Sequence, residues 1–274
     1  MDPVSVEERL EREGYALMPA ALPEAHQRSM AKAWTEGWNR SRASGALTGW
    51  ATTTVDSELI PLSGDPLTLL DARPVLALLA TPTVLSAIRS SVGEDALPAL
   101  IWTVHKTRKD GHVLPWHQDT VYDRRWRVLT VGYHCAGRDG TGGVRLIPGT
   151  HTLAQDMDRI DATYAWDQES VVALRPEPGD VVLHDAMTVH GSPEETDAPG
   201  RLTVYVEFRS ARHVLETETG MGDWVQARRR LLALADRISS GEEVPSDTLR
   251  SIVSAAQSIP RAPGMRNQSY RGLF

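Results

Sequence analysis

The chain has 274 residues and a formal net charge of −7 at pH 7, and a single all-β or mixed domain commonly reaches this size. Its basic residues are scattered, with the longest run at 228–230, so we expect neither nucleic acid nor a membrane as a partner. The one cysteine, Cys135, excludes an intrachain disulfide, and the N-terminal segment is acidic and polar, so we expect a cytoplasmic protein. Nothing in the sequence sets the oligomeric state.

Helical patterns dominate residues 1–99. A capping box at Ser5 predicts a short first helix, and a brief extended piece follows at 15–19. A longer helix is expected to begin after Pro23. The next apolar stretch predicts two helices that are divided near Pro82, because proline interrupts a helix interior.

The middle of the chain changes to short β-rich runs bounded by Gly, Pro and Asp, as turns between antiparallel strands require. Their spacing predicts a mainly β fold with flanking helices, a double-stranded β-helix or jelly roll of the cupin-like type. Helical periodicity returns after about residue 220. We therefore expect one domain over 1–274, with a helical flank at 1–99, a jelly-roll core at 100–212 and C-terminal helices at 213–274. The β-rich runs are 100–107, 127–135, 142–148, 169–176, 179–191 and 201–210.

Two histidines and one carboxylate form a candidate metal site. In "LPWHQDTVYD" (114–123), His117 and Asp119 are two positions apart, and such residues point to the same side of a strand. A His-x-Asp pair is common by chance, but a further histidine, His190, ends the β-rich run at 179–191. Two imidazoles and one carboxylate from neighbouring strands make a facial triad, which leaves three positions of an octahedral iron open.

A cation downstream of the triad completes a possible cosubstrate site. A 2-oxoglutarate molecule can chelate such an iron through its keto oxygen and C1 carboxylate, and its far carboxylate then needs a positive partner. Arg201 is the candidate, because a planar guanidinium matches a carboxylate with two parallel hydrogen bonds. Ser192 lies on the same strand side as His190 by the period of two and offers a hydroxyl donor.

Several motifs in this order resemble one family. They are "PWHQD" at 115–119, "IPGTH" at 147–151, "PGDVVLHDAMTVHGS" at 178–192 with Arg201 after it, and "EGYALMPAALPEAH" at 13–26. Together they resemble the phytanoyl-CoA dioxygenase-like branch of the Fe(II)/2-oxoglutarate-dependent oxygenases. The resemblance extends to about residue 210.

The resemblance implies an enzyme and its cofactors. It implies that the candidate triad binds Fe(II), that Ser192 and Arg201 hold the C5 carboxylate of 2-oxoglutarate, and that Trp102 lies at a cosubstrate-lining position. The implied reaction uses O2 to hydroxylate a C–H bond of a small molecule, with 2-oxoglutarate giving succinate and CO2.

One strand and two covering segments are the predicted substrate side of the site. The period of two places Thr130, Gly132 and His134 on one face of the strand at 126–134, and the family register turns this face toward the iron. We expect Thr130 and His134 to contact substrate and Gly132 to widen the cavity. Segments at 40–60 and 153–169 are expected to cover the pocket, the first as a lid without regular structure. Trp116 and Arg145 are further candidates for substrate contact.

Other functions stay open at the level of sequence. The same scaffold can catalyse desaturation, epoxidation, cyclisation or stereoinversion, and a non-catalytic cupin-like binding protein is the alternative from another class. His184 is expected to be a core or hydrogen-bonded residue rather than a ligand. The sequence has no cluster of basic residues that could bind the phosphates of coenzyme A. We therefore expect the substrate to be a natural-product or metabolic intermediate.

Overall fold

The computed structural model describes residues 5–107, 113–138, 143–194 and 200–258. The strands, in chain order, are β1 Tyr15–Met18, β2 Trp50–Val55, β3 Glu58–Gly64, β4 Ala96–Lys106, β5 Leu114–His117, β6 Leu129–Arg138, β7 Arg145–Leu146, β8 Val172–Ala173, β9 Val181–Asp185, β10 His190–Ser192 and β11 Gly200–Ser210. The helices are α1 Val6–Glu13, α2 Glu24–Ser44, α3 Pro66–Leu69, α4 Ala72–Leu79, α5 Pro82–Val92, α6 Met157–Thr163, α7 Ala211–Thr217, α8 Gly222–Ser239 and α9 Ser246–Ser258.

Two antiparallel sheets form the jelly roll. The larger sheet has five strands in the order β1-β9-β6-β11-β4, and the smaller has four in the order β5-β10-β7-β8. The predicted jelly roll with flanking helices is therefore confirmed. The predicted run at 179–191 is two strands, β9 and β10, and the turn between them carries the chain from the larger sheet to the smaller one.

The larger sheet buries both of its faces in different ways. Its outer face packs Val131, Val204 and Phe208 into one core with residues of α2, α4 and α5. On the inner side, Val182 of β9 packs with Leu146 of β7, and this contact joins the two sheets. Successive side chains of a strand point to opposite faces, so each strand contributes to both layers.

The helix boundaries follow local signals. The Ser5 hydroxyl accepts a hydrogen bond from the Glu8 backbone N–H, the Glu8 side chain caps Ser5 in return, and α1 ends at Gly14 in the left-handed conformation. Pro82 begins α5, which confirms the predicted division of the apolar stretch. Within the described ranges no single helix is long and apolar enough to cross a membrane; α4 and α5 meet the criterion only as a pair bent by 59°.

The segment expected to be an irregular lid contains a β-hairpin, so that expectation was wrong for residues 50–64. Asp56 and Ser57 have positive φ values of 48° and 68°, as the two central residues of a type I′ hairpin turn do. Thr103 of β4 ties the hairpin down, because its hydroxyl accepts from the Gly64 N–H at 2.9 Å and donates to the Gly64 carbonyl at 2.8 Å. The indole of Trp50 packs on α2 as well.

The C-terminal helices begin slightly earlier than predicted. Ser210 ends β11 and caps α7 by accepting a hydrogen bond from the His213 N–H at 3.3 Å. Trp224 of α8 packs with Leu97 and Ala99 of β4, so these helices cover one end of the larger sheet. The remainder of the predicted C-terminal segment, 259–274, lies outside the described residues.

Candidate active site

Three predicted ligand residues converge where β5 and β10 pair. His117 ends β5, His190 begins β10, and the two are direct partners in the antiparallel ladder. The chain then brings Asp119 back beside them: its Oδ1 lies 3.6 Å from His117 Nε2 and 3.7 Å from His190 Nε2. The three ligand atoms lie within 4.8 Å of one another. One metal ion can contact all three.

Both imidazoles are oriented by backbone carbonyls. The Nδ1 atom of His117 lies 2.8 Å from the Pro115 carbonyl, and Nδ1 of His190 lies 2.9 Å from the Thr188 carbonyl. Because a carbonyl oxygen can only accept a hydrogen bond, Nδ1 carries the proton in each ring. Both Nε2 lone pairs are therefore available to a metal, in the arrangement that metal-binding histidines adopt.

The charges of the site suit metal binding. Burial alone would raise the pKa of Asp119, but His190, His117 and His184 together hold it well below its usual range. Burial, together with the neighbouring His117, lowers the pKa of His190 to about 3. At neutral pH the site thus has a carboxylate and a neutral imidazole, which are the protonation states that ligands need.

The second oxygen of Asp119 is held from the larger sheet. Thr130 Oγ1 donates to Asp119 Oδ2 at 2.8 Å, and His184 Nε2 lies 3.1 Å from the same atom. Thr130 was expected to contact substrate, and its hydroxyl instead contacts Asp119. Thr130 and His184 are register partners on β6 and β9, so pairing these strands in advance would have found the contact.

The predicted cosubstrate residues line the same cavity as the triad. Arg201 and Ser192 face it, and Trp102 forms a wall by stacking on Tyr205 with ring centroids 5.6 Å apart. Lys106, the cross-strand partner of Arg201, donates from Nζ to the Ser192 hydroxyl at 2.8 Å. Tyr205 was not singled out from the sequence. The other residues of the cavity wall are Val104, Leu114, Val144, His184 and Gly191.

Gly132 does not widen the cavity, contrary to the expectation. A Cβ built on Gly132 would lie 2.8 Å from Cε1 of Tyr205, its direct partner on β11. The phenol ring of Tyr205 therefore occupies the space that the missing side chain leaves. This cross-strand neighbour could not be identified from the sequence of β6 alone.

The remaining substrate candidates lie outside the described cavity wall. Trp116 stacks on Trp166 with ring centroids 4.2 Å apart, and consecutive strand residues point to opposite sides, which turns Trp116 away from His117. His134 Nδ1 lies 3.2 Å from the Thr203 hydroxyl, and burial together with Arg201 lowers its pKa. Arg145 donates to the Gly143 carbonyl at 3.1 Å.

The fold is shared with several solved structures. AviO1 from Streptomyces viridochromogenes is 22% identical with a TM-score of 0.64, and the match covers 77% of this chain and 97% of AviO1. The epimerase SnoN from nogalamycin biosynthesis, in complex with Fe3+, alpha ketoglutarate and nogalamycin RO, is 17% identical with a TM-score of 0.54, covering 79% of this chain and 90% of SnoN.

A third similar structure is EctD from S. alaskensis with 2-oxoglutarate and 5-hydroxyectoine, which is 18% identical with a TM-score of 0.58 and covers 74% of each chain. No curated protein matches the sequence. Residues 10–201, more than half of the chain, match the family described as Phytanoyl-CoA dioxygenase (PhyH). The chain therefore belongs to the phytanoyl-CoA dioxygenase (PhyH) family and is an oxygenase.

Proposed function

We propose that this oxygenase uses Fe(II), 2-oxoglutarate and O2 to hydroxylate a C–H bond of a small molecule, a natural-product or metabolic intermediate, and releases succinate and CO2. The convergence of two imidazole Nε2 atoms and one carboxylate oxygen within 4.8 Å carries the proposal. This donor set is the one that leaves three adjacent iron positions open. We also propose a cytoplasmic location, because a chain with one cysteine has no intrachain disulfide and suits a reducing compartment.

The three residues can bind iron while keeping the hydrogen bonds that their Nδ1 atoms already make. His117, His190 and Asp119 would hold the metal through Nε2, Nε2 and Oδ1, because the Nδ1 atoms already donate to carbonyls. Fe(II) held here together with 2-oxoglutarate would activate O2. The protein keeps the three donors in place and largely removes them from solvent, since each is at most 9% exposed.

Arg201, Ser192 and Lys106 are the proposed clamp for the far carboxylate of 2-oxoglutarate. Ser192 Oγ accepts from Lys106 Nζ, so the hydroxyl hydrogen of Ser192 remains available for an acceptor in the cavity. Arg201 is 3% exposed and faces the same cavity. A carboxylate bound here accepts charge-assisted hydrogen bonds, which are stronger than neutral ones.

The four residues expected to contact substrate do not line the cavity that contains the triad. Thr130 holds Asp119, and Trp116, His134 and Arg145 lie outside the described cavity wall. We infer that substrate contacts come from other residues near the triad.

The test is succinate formation by the purified protein with Fe(II), ascorbate and 2-oxoglutarate in air. We expect slow succinate release without added substrate, and its loss in His190→Ala and Asp119→Ala. His26→Ala on α2, outside the cavity wall, serves as the control and should retain the wild-type rate. Full succinate release in either triad variant would overturn the iron assignment.

Other outcomes of the same oxidation are supported by two structural neighbours, the epimerase SnoN and the carbocyclase SnoK, although each shares only the fold. Stereoinversion and cyclisation are therefore the second candidates, and desaturation and epoxidation are further outcomes that the same scaffold can catalyse. Mass spectrometry of the product formed under 18O2 divides them into groups: hydroxylation and epoxidation add labelled oxygen, desaturation and cyclisation remove two hydrogens, and stereoinversion leaves the mass of the substrate unchanged.

A further inference from the structure

We propose that His184 and Thr130 are positioning residues that reserve one oxygen of Asp119 for the metal by occupying the other. This inference rests on the proposed iron function. It assigns a task to a third histidine beside the candidate triad.

The two oxygens of Asp119 face different partners. Oδ1 lies 3.6 and 3.7 Å from the Nε2 atoms of His117 and His190, whereas Oδ2 lies 2.8 Å from Thr130 Oγ1 and 3.1 Å from His184 Nε2. Thr130 and His184 come from adjacent strands and are buried. Oδ2 is thus held between two strands of the larger sheet.

The hydrogen-bond chemistry sets the role of His184. An ionised carboxylate only accepts hydrogen bonds, so the His184 Nε2 atom that faces Oδ2 must carry the proton. A protonated ring nitrogen has no lone pair for a metal. His184 Nε2 is therefore a donor to a ligand residue and not a fourth ligand atom.

Two donors on Oδ2 have two consequences for the metal. They disfavour bidentate binding by Asp119, which keeps a coordination position open for 2-oxoglutarate or O2. They also draw electron density away from the carboxylate, and hydrogen bonds to ligands are one of the means by which proteins set the potential of bound iron. Removing a donor should therefore make the Fe(II) form easier to oxidise.

A pair of substitutions at His184 separates hydrogen bonding from packing. His184→Phe keeps a ring but removes the donor, whereas His184→Gln keeps an N–H donor but removes the ring. We expect Fe(II) affinity to fall by about 10- to 100-fold in the Phe variant, the usual effect of losing such a partner, and to stay within about threefold in the Gln variant. A role in packing alone would give the opposite order.

Thr130 has a matched control on the same sheet. Thr130 and Thr103 are both fully buried, but Thr103 belongs to the opposite face of the sheet and bonds Gly64. Val replaces either side chain with nearly the same shape. Thr130→Val and Thr103→Val should both lower stability, and only Thr130→Val should weaken Fe(II) binding.

The deciding measurements are Fe(II) affinity, the Co(II) absorption spectrum and the Fe(III)/Fe(II) potential of each variant. The proposal expects a changed Co(II) spectrum and a lower potential in His184→Phe and Thr130→Val, with wild-type values in His184→Gln and Thr103→Val. Wild-type affinity, spectrum and potential in either of the first two would overturn it, as would greater loss in Gln than in Phe. A wild-type protein that binds no Fe(II) would instead reject the proposed function.

Discussion

The two faces of the five-stranded sheet use the same strands for different purposes. On the outer face, Val131, Val204 and Phe208 pack against helices. On the inner face, Thr130 and Arg201 are almost as deeply buried, yet they are polar and turn toward the candidate site. Burying polar groups costs free energy unless partners are supplied. The outer face therefore stabilises the fold, and the inner face is retained for chemistry.

A buried carboxylate of the inner face has partners on its own strand and on the loop after β5. Glu207 Oε1 accepts from Arg209 Nε at 2.7 Å, and its Oε2 accepts from the Thr120 hydroxyl at 2.9 Å. Replacing a buried ion pair by apolar residues is often neutral or stabilising. The Glu207–Arg209 pair is therefore weak evidence that the inner face stabilises the fold. If the two faces differ as described, substitutions on each should change different measured quantities.

The largest effect is expected on the outer face. Phe208→Ala removes a fully buried ring and should lower the free energy of unfolding by about 3–5 kcal/mol. Urea unfolding of the metal-free protein measures the loss. The Fe(II) affinity of the folded variant should equal that of the wild type, and a parallel loss of metal binding would show that the two faces are not independent.

On the inner face, Arg201→Ala should weaken 2-oxoglutarate by about 10- to 100-fold, because hydrogen bonds to charged groups contribute about 1.5–3 kcal/mol. Arg201→Lys should restore only part of the affinity, since an ammonium cannot form the two parallel bonds. Calorimetric titration of the Fe(II) protein measures this, with the exposed Arg125→Ala as control. Unchanged affinity would mean that Lys106 and Ser192, and not Arg201, hold the far carboxylate.

Gly132→Ala tests how tightly the inner face is packed. The added Cβ would meet the Tyr205 ring at 2.8 Å, so we expect a stability loss of about 1–3 kcal/mol and weaker 2-oxoglutarate binding as the ring is displaced. Gly222→Ala is the control, because a Cβ there meets nothing within 4 Å. Unchanged stability and affinity in Gly132→Ala would mean that Tyr205 has room to move.

A pH-dependent effect is expected at a buried histidine of α7. Burial, with Arg209 and Arg125 nearby, lowers the pKa of His213 to about 4, although Asp123 and Glu216 oppose the shift. The unfolded chain has a pKa near 6.5 there, so it takes up a proton between pH 6.5 and 4 that the folded state does not. Stability should therefore fall as the pH falls through this window.

The contribution of His213 is at most about 1.4 kcal/mol per pH unit. His213→Phe keeps a ring beside Trp126, so subtracting its urea unfolding curve from that of the wild type at each pH isolates the titration. The free energy of unfolding of the wild type minus that of the variant should rise from pH 4 to 6.5 and then stay constant. A pH-independent difference would show that His213 titrates alike in both states.

Much of the fold followed from local patterns. The β-rich runs bounded by Gly, Pro and Asp predicted most strands of the larger sheet, and proline and capping signals predicted helix boundaries such as Pro82 and Ser5. The hairpin at 50–64 was missed because its signal is a two-residue Asp-Ser turn with positive φ, a weaker pattern than a turn that contains glycine.

The amino-acid sequence alone indicated the candidate triad and the proposed partners of 2-oxoglutarate. His117 and Asp119 are two positions apart, and Ser192 follows His190 by the same spacing, so chain geometry limits where their side chains can point. Motif order then indicated Arg201. These inferences needed short-range spacing, the chemistry of the side chains and the order of the motifs along the chain.

The pairing of residues on neighbouring strands became known only from the folded arrangement of the sheets. His184 and Thr130 reach Asp119, and Tyr205 fills the space at Gly132, because the register of β6 against β9 and β11 brings them together. That register is set by the joint packing of both sheets, and a shift of one residue would turn these side chains to the other face. Local spacing carries no information about such pairings, so the substrate side of the site could not be read from one strand.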